Sequence, residues 1–181
     1  MPANHFLVDI HRLSRQAGTV QHQQSRVETP PAWGNQLAGA AAGSPLDLTF
    51  DLTAVGEGVW VSGRADYRLS GQCCRCLALL DRPAQVHFQE LFVWPGRSED
   101  DQDLSRTDGQ TIDLEPVIRD AVVLDLPWAP VCEDDCAGLC VECGANLNEN
   151  PSHAHADLVD ARWASLVGWV PSGETEPGDL D

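Results

Sequence analysis

Six of the seven cysteines in this chain fall into close pairs: Cys73-x-x-Cys76, Cys132-x3-Cys136 and Cys140-x-x-Cys143. Thiols two or three residues apart can reach one cation, and a cation shared by distant pairs dictates which parts of the chain must meet. His153-x-His155 follows the last pair. Cys73, Cys76, Cys132, Cys136, Cys140, Cys143, His153 and His155 thus supply eight candidate ligands, enough for two tetrahedral zinc shells. Cys140-Val-Glu-Cys143-Gly144 is the stronger knuckle, because the glycine permits the positive φ that turns backbone N–H groups toward sulfur. Spacing alone leaves two pairings open. Cys132/Cys136 can join the local Cys140/Cys143 pair, or can join Cys73/Cys76 and staple the two halves of the chain together. Cys74 is left over.

No apolar run approaches the roughly 20 residues of a membrane span. Met1–Ile10 lacks the basic-then-apolar layout of a signal peptide. The expectation is a soluble, cytoplasmic protein whose thiols stay reduced, which favours metal ligation over disulfides.

Charge narrows the function. Eleven Arg, and no Lys, stand against 28 acidic residues, for a net charge of −17. Residues 1–75 hold six Arg and six acids; the remainder holds five Arg and 22 acids and carries the whole imbalance. Affinity for nucleic acid draws on phosphate neutralisation, so this distribution disfavours direct binding of naked RNA and suits a basic protein partner. Only Arg12, Arg15 and Arg26 are placed for RNA contact.

The expected fold class is α+β, mainly antiparallel β: a β-meander, a knuckle-rich C-terminal part and two short helices. Phe6–His11 reads as a short strand. Ser14–Glu28 is polar with little periodicity, and Thr29–Gly34 and Leu37–Gly43 read as loop. Leu46, Leu48, Phe50 and Leu52 alternate with Asp47, Thr49, Asp51 and Thr53, the period of a half-buried strand. Gly56-Glu57-Gly58 turns the chain into a second strand with Val59, Val61, Ala65, Tyr67 and Leu69 on one face. Leu77–Leu80 and Ala84–Trp94 give a third, broken strand, with the first cysteine pair near a hairpin tip. Gly96–Gln110 is an acidic loop or linker. Asp113 is expected to cap a helix carrying Leu114, Val117, Ile118, Ala121 and Val122, and Leu126-Pro127 to end it. Asp160 is expected to cap a second helix that turns Trp163, Leu166, Val167 and Val170 inward. The corresponding parts are 1–95, the linker 96–110, 111–170 and an acidic tail 171–181.

Catalytic motifs are scarce. A zinc deaminase needs H-x-E before P-C-x-x-C, and no histidine here is followed by x-Glu. A thioredoxin-like C-x-x-C belongs at a helix N-terminus within a βαβ unit, whereas Cys73–Cys76 lies between strands. Phosphate-binding glycine loops, HExxH and GxSxG are absent. Zinc with four protein ligands keeps no open position, so the expectation is a non-enzymatic protein. The alternative is a thiol-redox or metal-dependent enzyme using the C-x-x-C pairs.

The residues also resemble a known family. Cys73-Cys-Arg-Cys76-Leu77, then Leu126-Pro127 leading to Val131-Cys132-Glu-Asp-Asp-Cys136-Ala-Gly-Leu-Cys140-Val-Glu-Cys143-Gly-Ala-Asn146-Leu147-Asn148, is similar to the YceD family. Asp160-Ala161-Arg162-Trp163-Ala164-Ser165-Leu166 resembles that family's D-P-R-W-A-x-L ending, with Ala161 in the place of proline. Val141 stands where proline is common inside the knuckle. The family is linked to accumulation and processing of large-subunit (23S) ribosomal RNA. The resemblance therefore implies a ribosome-biogenesis factor whose partner is a ribosomal protein or an rRNA-containing assembly intermediate. Many members place C-x-C where this chain has His153-Ala-His155, which implies that both histidines are ligands. Shorter members lack the Cys140/Cys143 knuckle. That implies one site of Cys73, Cys76, Cys132 and Cys136 and another of Cys140, Cys143, His153 and His155.

Overall fold

A computed structural model describes residues 5–13, 16–96, 104–155 and 162–163. Its centre is the strand whose alternation is clearest in the sequence. In β4 (Pro45–Ala54), Leu46, Leu48, Phe50, Leu52 and Ala54 are each at most 2% exposed, while the residues between them face outward. Val55 and Gly58 close the hairpin through reciprocal backbone hydrogen bonds of 3.0 and 3.3 Å. β5 (Gly58–Gln72) then buries Val59, Val61, Ala65, Tyr67 and Leu69 on the same face. At Gly63 the two strands touch too closely for a side chain, since a Cβ there would lie 2.5 Å from that of Phe50.

β6 (Leu79–Val93) pairs with β5 in one register from Gly58↔Val93 to Gln72↔Leu79, so the third strand is unbroken, contrary to the sequence expectation. Pro83 does not interrupt it. Val93 directs its N–H away from β5, to Ser105 O at 2.9 Å, and Trp94 directs its own to Glu57 O on the opposite side. Alternation along the register puts Pro83 on the outward side with Val93, where a missing N–H breaks no ladder bond.

Two further strands lie where no strand was expected. β2 (Val20–Glu28) pairs with β4 from Val20↔Thr53 to Glu28↔Pro45. Only Val27 on it is buried; the residues opposite Leu48, Phe50 and Leu52 are Ser25, Gln23 and Gln21. A polar edge strand leaves no hydrophobic period to detect. β3 (Ala38–Ala40) continues the row beyond β4, pairing with Leu69–Gly71 of β5, and its three small residues carry no strand signal either. The main sheet thus runs β2–β4–β5–β6, with β3 beside β4 on β5.

β1 (Leu7–Asp9) matches the expected N-terminal strand and pairs with β7 (Thr111–Asp113) in a separate two-stranded sheet. α1 (Glu115–Asp125) follows at once and packs on β6. Its N-cap is Leu114 rather than Asp113. The Asp113 carboxylate still accepts the Glu115 N–H at 2.9 Å, satisfying one orphan donor from a residue earlier. Phe6, Ile10, Ile112, Leu114, Ile118 and Val122 share one buried cluster with the inward residues of β4, β5 and β6.

α1 is the one helix among the described residues, and it is not long and apolar enough to cross a membrane. The expected second helix lies outside the described residues apart from Arg162 and Trp163, which form a turn. Trp163 is 59% exposed rather than turned inward.

Candidate metal centres

β5 hands the chain straight to the first knuckle. Leu77 N–H bonds Cys73 O at 2.9 Å and Cys73 N–H bonds Ala78 O at 2.8 Å, so Cys73–Cys76 caps the β5–β6 hairpin. The loop after α1 is tied onto this cap by three sets of bonds. Cys74 N–H donates to Pro130 O at 2.8 Å, Leu139 N–H donates to Arg75 O at 3.1 Å, and Arg75 Nη1 donates to the carbonyls of Asp134 and Cys136 at 3.1 and 3.0 Å. Gly138, at φ 80°, lets the loop pass this close, since a Cβ there would sit 3.2 Å from Arg75 O.

These tethers deliver Cys132 and Cys136 to Cys73 and Cys76, with all four sulfurs within 4.8 Å of one another. Cys73 Sγ lies 3.8 Å from Cys136 Sγ, and Cys76 Sγ lies 3.6 Å from Cys132 Sγ. Tetrahedral zinc with bonds of about 2.3 Å requires sulfurs about 3.8 Å apart, so the group fits such an ion. The separations are far beyond a disulfide bond, and all seven cysteines are free. Leu80, Val131 and Leu139 close around the sulfurs. Arg75 N–H and Asn148 Nδ2 each point at a sulfur, Cys73 and Cys136 respectively, at 3.4 Å.

Four thiols so close cannot all ionise without a cation. The backbone N–H of Cys76, aided by Arg75, outweighs burial and lowers Cys73 to about 6. Hydrogen bonding with Cys136 and Cys76, together with burial, pushes Cys132 up to about 12. Cys76 is also raised: the Ala78 N–H favours its thiolate, but burial and the neighbouring Cys73 and Cys136 prevail. A divalent cation removes this conflict by neutralising the charge that the thiolates share.

The second cluster repeats the first knuckle. Gly144 N–H bonds Cys140 O at 2.8 Å and Cys140 N–H bonds Ala145 O at 2.8 Å. Gly144 has φ 73° where Leu77 has 60°. Cys140 Sγ lies 3.2 Å from His155 Nε2, Cys143 Sγ lies 3.2 Å from His153 Nε2, and the two Nε2 atoms are 2.9 Å apart. These are within a few tenths of an ångström of a tetrahedral S2N2 shell. Backbone N–H groups of Cys143 and Glu142 lower Cys140 to about 6. Glu142 Oε2 lies 3.3 Å from His155 Nδ1, the outer nitrogen, which leaves Nε2 to face the cluster. Cys143 and His155 are exposed, so this site is wetter than the first.

All eight candidate ligands are therefore brought together, in the two sets of four that the resemblance implied, and both sets could hold metal ions. Cys74 is exposed and joins neither. Arg75 stands out in the sequence as the cation inside the first pair, but its bonds to Asp134 and Cys136 depend on which loops meet, as do the roles of Glu142 and Asn148, which were not singled out from sequence.

Three of the four arginines in the sheet are committed to carboxylates; the fourth, Arg82, is exposed on β6. On the outer face Arg26 is bound in a fork to Asp47, Arg68 lies 2.7 Å from Asp81, and Arg64 lies 3.6 Å from Asp66. These exposed pairs contribute little stability, but each sets a carboxylate beside the cation that a phosphate would need.

The family described as "Large ribosomal RNA subunit accumulation protein YceD" matches residues 61–168. An uncharacterized protein of Mycobacterium tuberculosis is 38% identical over 98% of this chain and 87% of its own length. One from Mycobacterium leprae is 35% identical over 96% of this chain and 81% of its own. Over 30% of this chain, the Arabidopsis thaliana chloroplastic protein named large ribosomal RNA subunit accumulation protein YCED homolog 1 is 36% identical, a stretch covering 17% of that protein. No solved structure matches the chain. With the family match covering both clusters in full and the mycobacterial relatives nearly the whole length, the chain belongs to the YceD family.

Proposed function

We propose that this protein is a non-enzymatic factor in ribosome assembly, supporting accumulation of large-subunit ribosomal RNA in the cytoplasm, with two structural zinc ions. Each cluster supplies four ligand atoms of its own, and this is the observation that carries the non-catalytic reading: an ion held there keeps no position for a substrate. The donor chemistry favours zinc, since S4 and S2N2 tetrahedra suit it. Family membership supports the link to large-subunit rRNA. The paired arginines of the sheet and the 22 acids beyond residue 75 favour contact through a basic ribosomal protein rather than through naked RNA.

Crosslinking followed by pulldown from growing cells tests this. Large-subunit ribosomal proteins or precursor rRNA should be recovered, and elemental analysis of the reduced protein should find about two zinc ions per chain. Recovery of neither ribosomal component would sink the assembly role, and less than one zinc per chain would sink the metal.

A thiol-redox role is the second reading. The lowered thiols of Cys73 and Cys140 favour it. It requires that the reduced protein reduce a model disulfide in a manner lost on Cys73→Ser or Cys140→Ser; absence of such activity removes this reading.

A further inference from the structure

We propose that the outer edge of β6, flanked by α1, is a docking groove where an extended basic segment of a partner protein adds to the sheet as another strand. The inference rests on the partner being a basic protein and locates where it binds.

The β5–β6 register fixes which way each β6 backbone group points. Val93 donates outward to Ser105 O at 2.9 Å and its carbonyl accepts from Thr107 N at 3.2 Å. Residues of the same parity, Gln85, His87, Gln89 and Leu91, therefore also present their N–H and C=O groups outward. Among the described residues no strand pairs with them. Both ends of this edge are closed: Pro83 removes a donor at one end, and Ser105–Thr107 occupies Val93 at the other. Between them about 20 Å of pairing-competent backbone has no strand on it among the described residues. Long open edges invite strand addition, and natural sheets usually cover them or break them up.

This edge is also grooved. A cleft of about 450 Å³ lies beside His87–Glu90, walled by Ser105 and by Pro116, Val117, Asp120 and Ala121 of α1. Val117 and Ala121 are half-buried apolar side chains, which an alternating strand can meet with one of its faces. Among the described residues Glu90 and Asp120 line the cleft and no Lys or Arg does, although Asp120 is ion-paired with Arg119 at 3.0 Å. β2 offers another open edge among the described residues, but the cleft beside it sets Arg26 against Glu28 and so carries no excess of acid. Charge therefore selects β6 for a basic guest: main-chain bonds hold the strand, and alternate side chains give it preference.

The test uses the zinc-loaded full chain and a blocked octapeptide of alternating Arg and Val, with two control peptides: one N-methylated at every second residue, and one with Glu for Arg. Amide hydrogen exchange should show new protection at Gln85, His87, Gln89 and Leu91. Affinity should fall about tenfold or more for the N-methylated peptide and for Gln89→Pro, each of which removes main-chain bonds from the added strand. Asp120→Lys, on the exposed side of the helix, should weaken the Arg peptide and not the Glu peptide. Equal binding of the N-methylated and parent peptides, protection on β2 instead, or dimerisation through this edge without peptide would each overturn the proposal. If the peptide docks on β6 while cells yield no large-subunit component, the groove stands and the ribosomal reading falls; the reverse pattern removes the groove alone.

Discussion

Leu77 and Gly144 are equivalent positions, each following the second cysteine of a C-x-x-C and each carrying positive φ, 60° and 73°. The geometry needs that torsion, because it turns the next residue's carbonyl back to accept the first cysteine's N–H. Glycine takes it freely, whereas leucine there is strained by roughly 1–2 kcal/mol. A Cβ at Gly144 meets nothing within 4 Å, so Gly144→Ala adds backbone strain and little else. Its cost of about 1 kcal/mol should weaken zinc at the second site about fivefold. Leu77→Gly should act the other way at the first site. Relief of strain outweighs the added freedom of the unfolded chain by on the order of 0.5 kcal/mol, a two- to threefold gain. Chelator competition on each variant measures both; a weaker first site in Leu77→Gly would mean that the leucine side chain contributes packing that outweighs its torsion. The need for positive φ was legible at Gly144, where the residue type announces it, and invisible at Leu77, where only the hydrogen bonds to Cys73 and Ala78 do.

At the level of elements, what the sequence made legible follows burial. β4 and β5 are half-buried and alternate cleanly, so their faces could be assigned residue by residue. β2 turns Gln21, Gln23 and Ser25 toward the inner face, and its existence depends on the free edge of β4 rather than on its own pattern. The same limit applied to the metal sites: the eight ligands were legible, but which pairs meet is set by the tethers from Arg75 and Cys74. Those tethers decide what a lost ligand would loosen. The segment 128–155 is held to the hairpin tip by the first cluster and the bonds around it, whereas α1 is anchored in the main core through Leu114, Ile118 and Val122. Cys76→Ser should therefore speed amide exchange across residues 130–150 by at least tenfold, the effect of losing about 1.4 kcal/mol of local stability. α1 and β6 should stay protected. Loss of protection in α1 to the same degree would show that the core depends on the metal too.

Taken as a whole, the molecule joins a well-packed sheet to a C-terminal loop region in which the described residues form no helix and only an isolated bridge, Leu139↔Asn146. A region with so little buried apolar surface needs another source of order, and structural metal is one. Metal that orders a loop must also displace protons, and the apo thiols state how many. Cys132, pushed up to about 12, and Cys76, raised above its ordinary value, both keep their protons at pH 7–8.5. Both must lose them to ligate zinc, so binding at the first site releases at least two protons. The sign follows: acid favours the metal-free form, and raising the pH favours the loaded one. In this window the apparent affinity of the first site should rise by at least about a hundredfold per pH unit. Cobalt can report on it, because an S4 site and an S2N2 site differ in their thiolate charge-transfer bands. Competition against a chelator of known pH dependence, at pH 7.0, 7.75 and 8.5 and read at the S4 band, gives the slope. A slope clearly below two protons would mean that Cys76 or Cys132 stays protonated beside the ion, and the four-thiolate site would then be wrong.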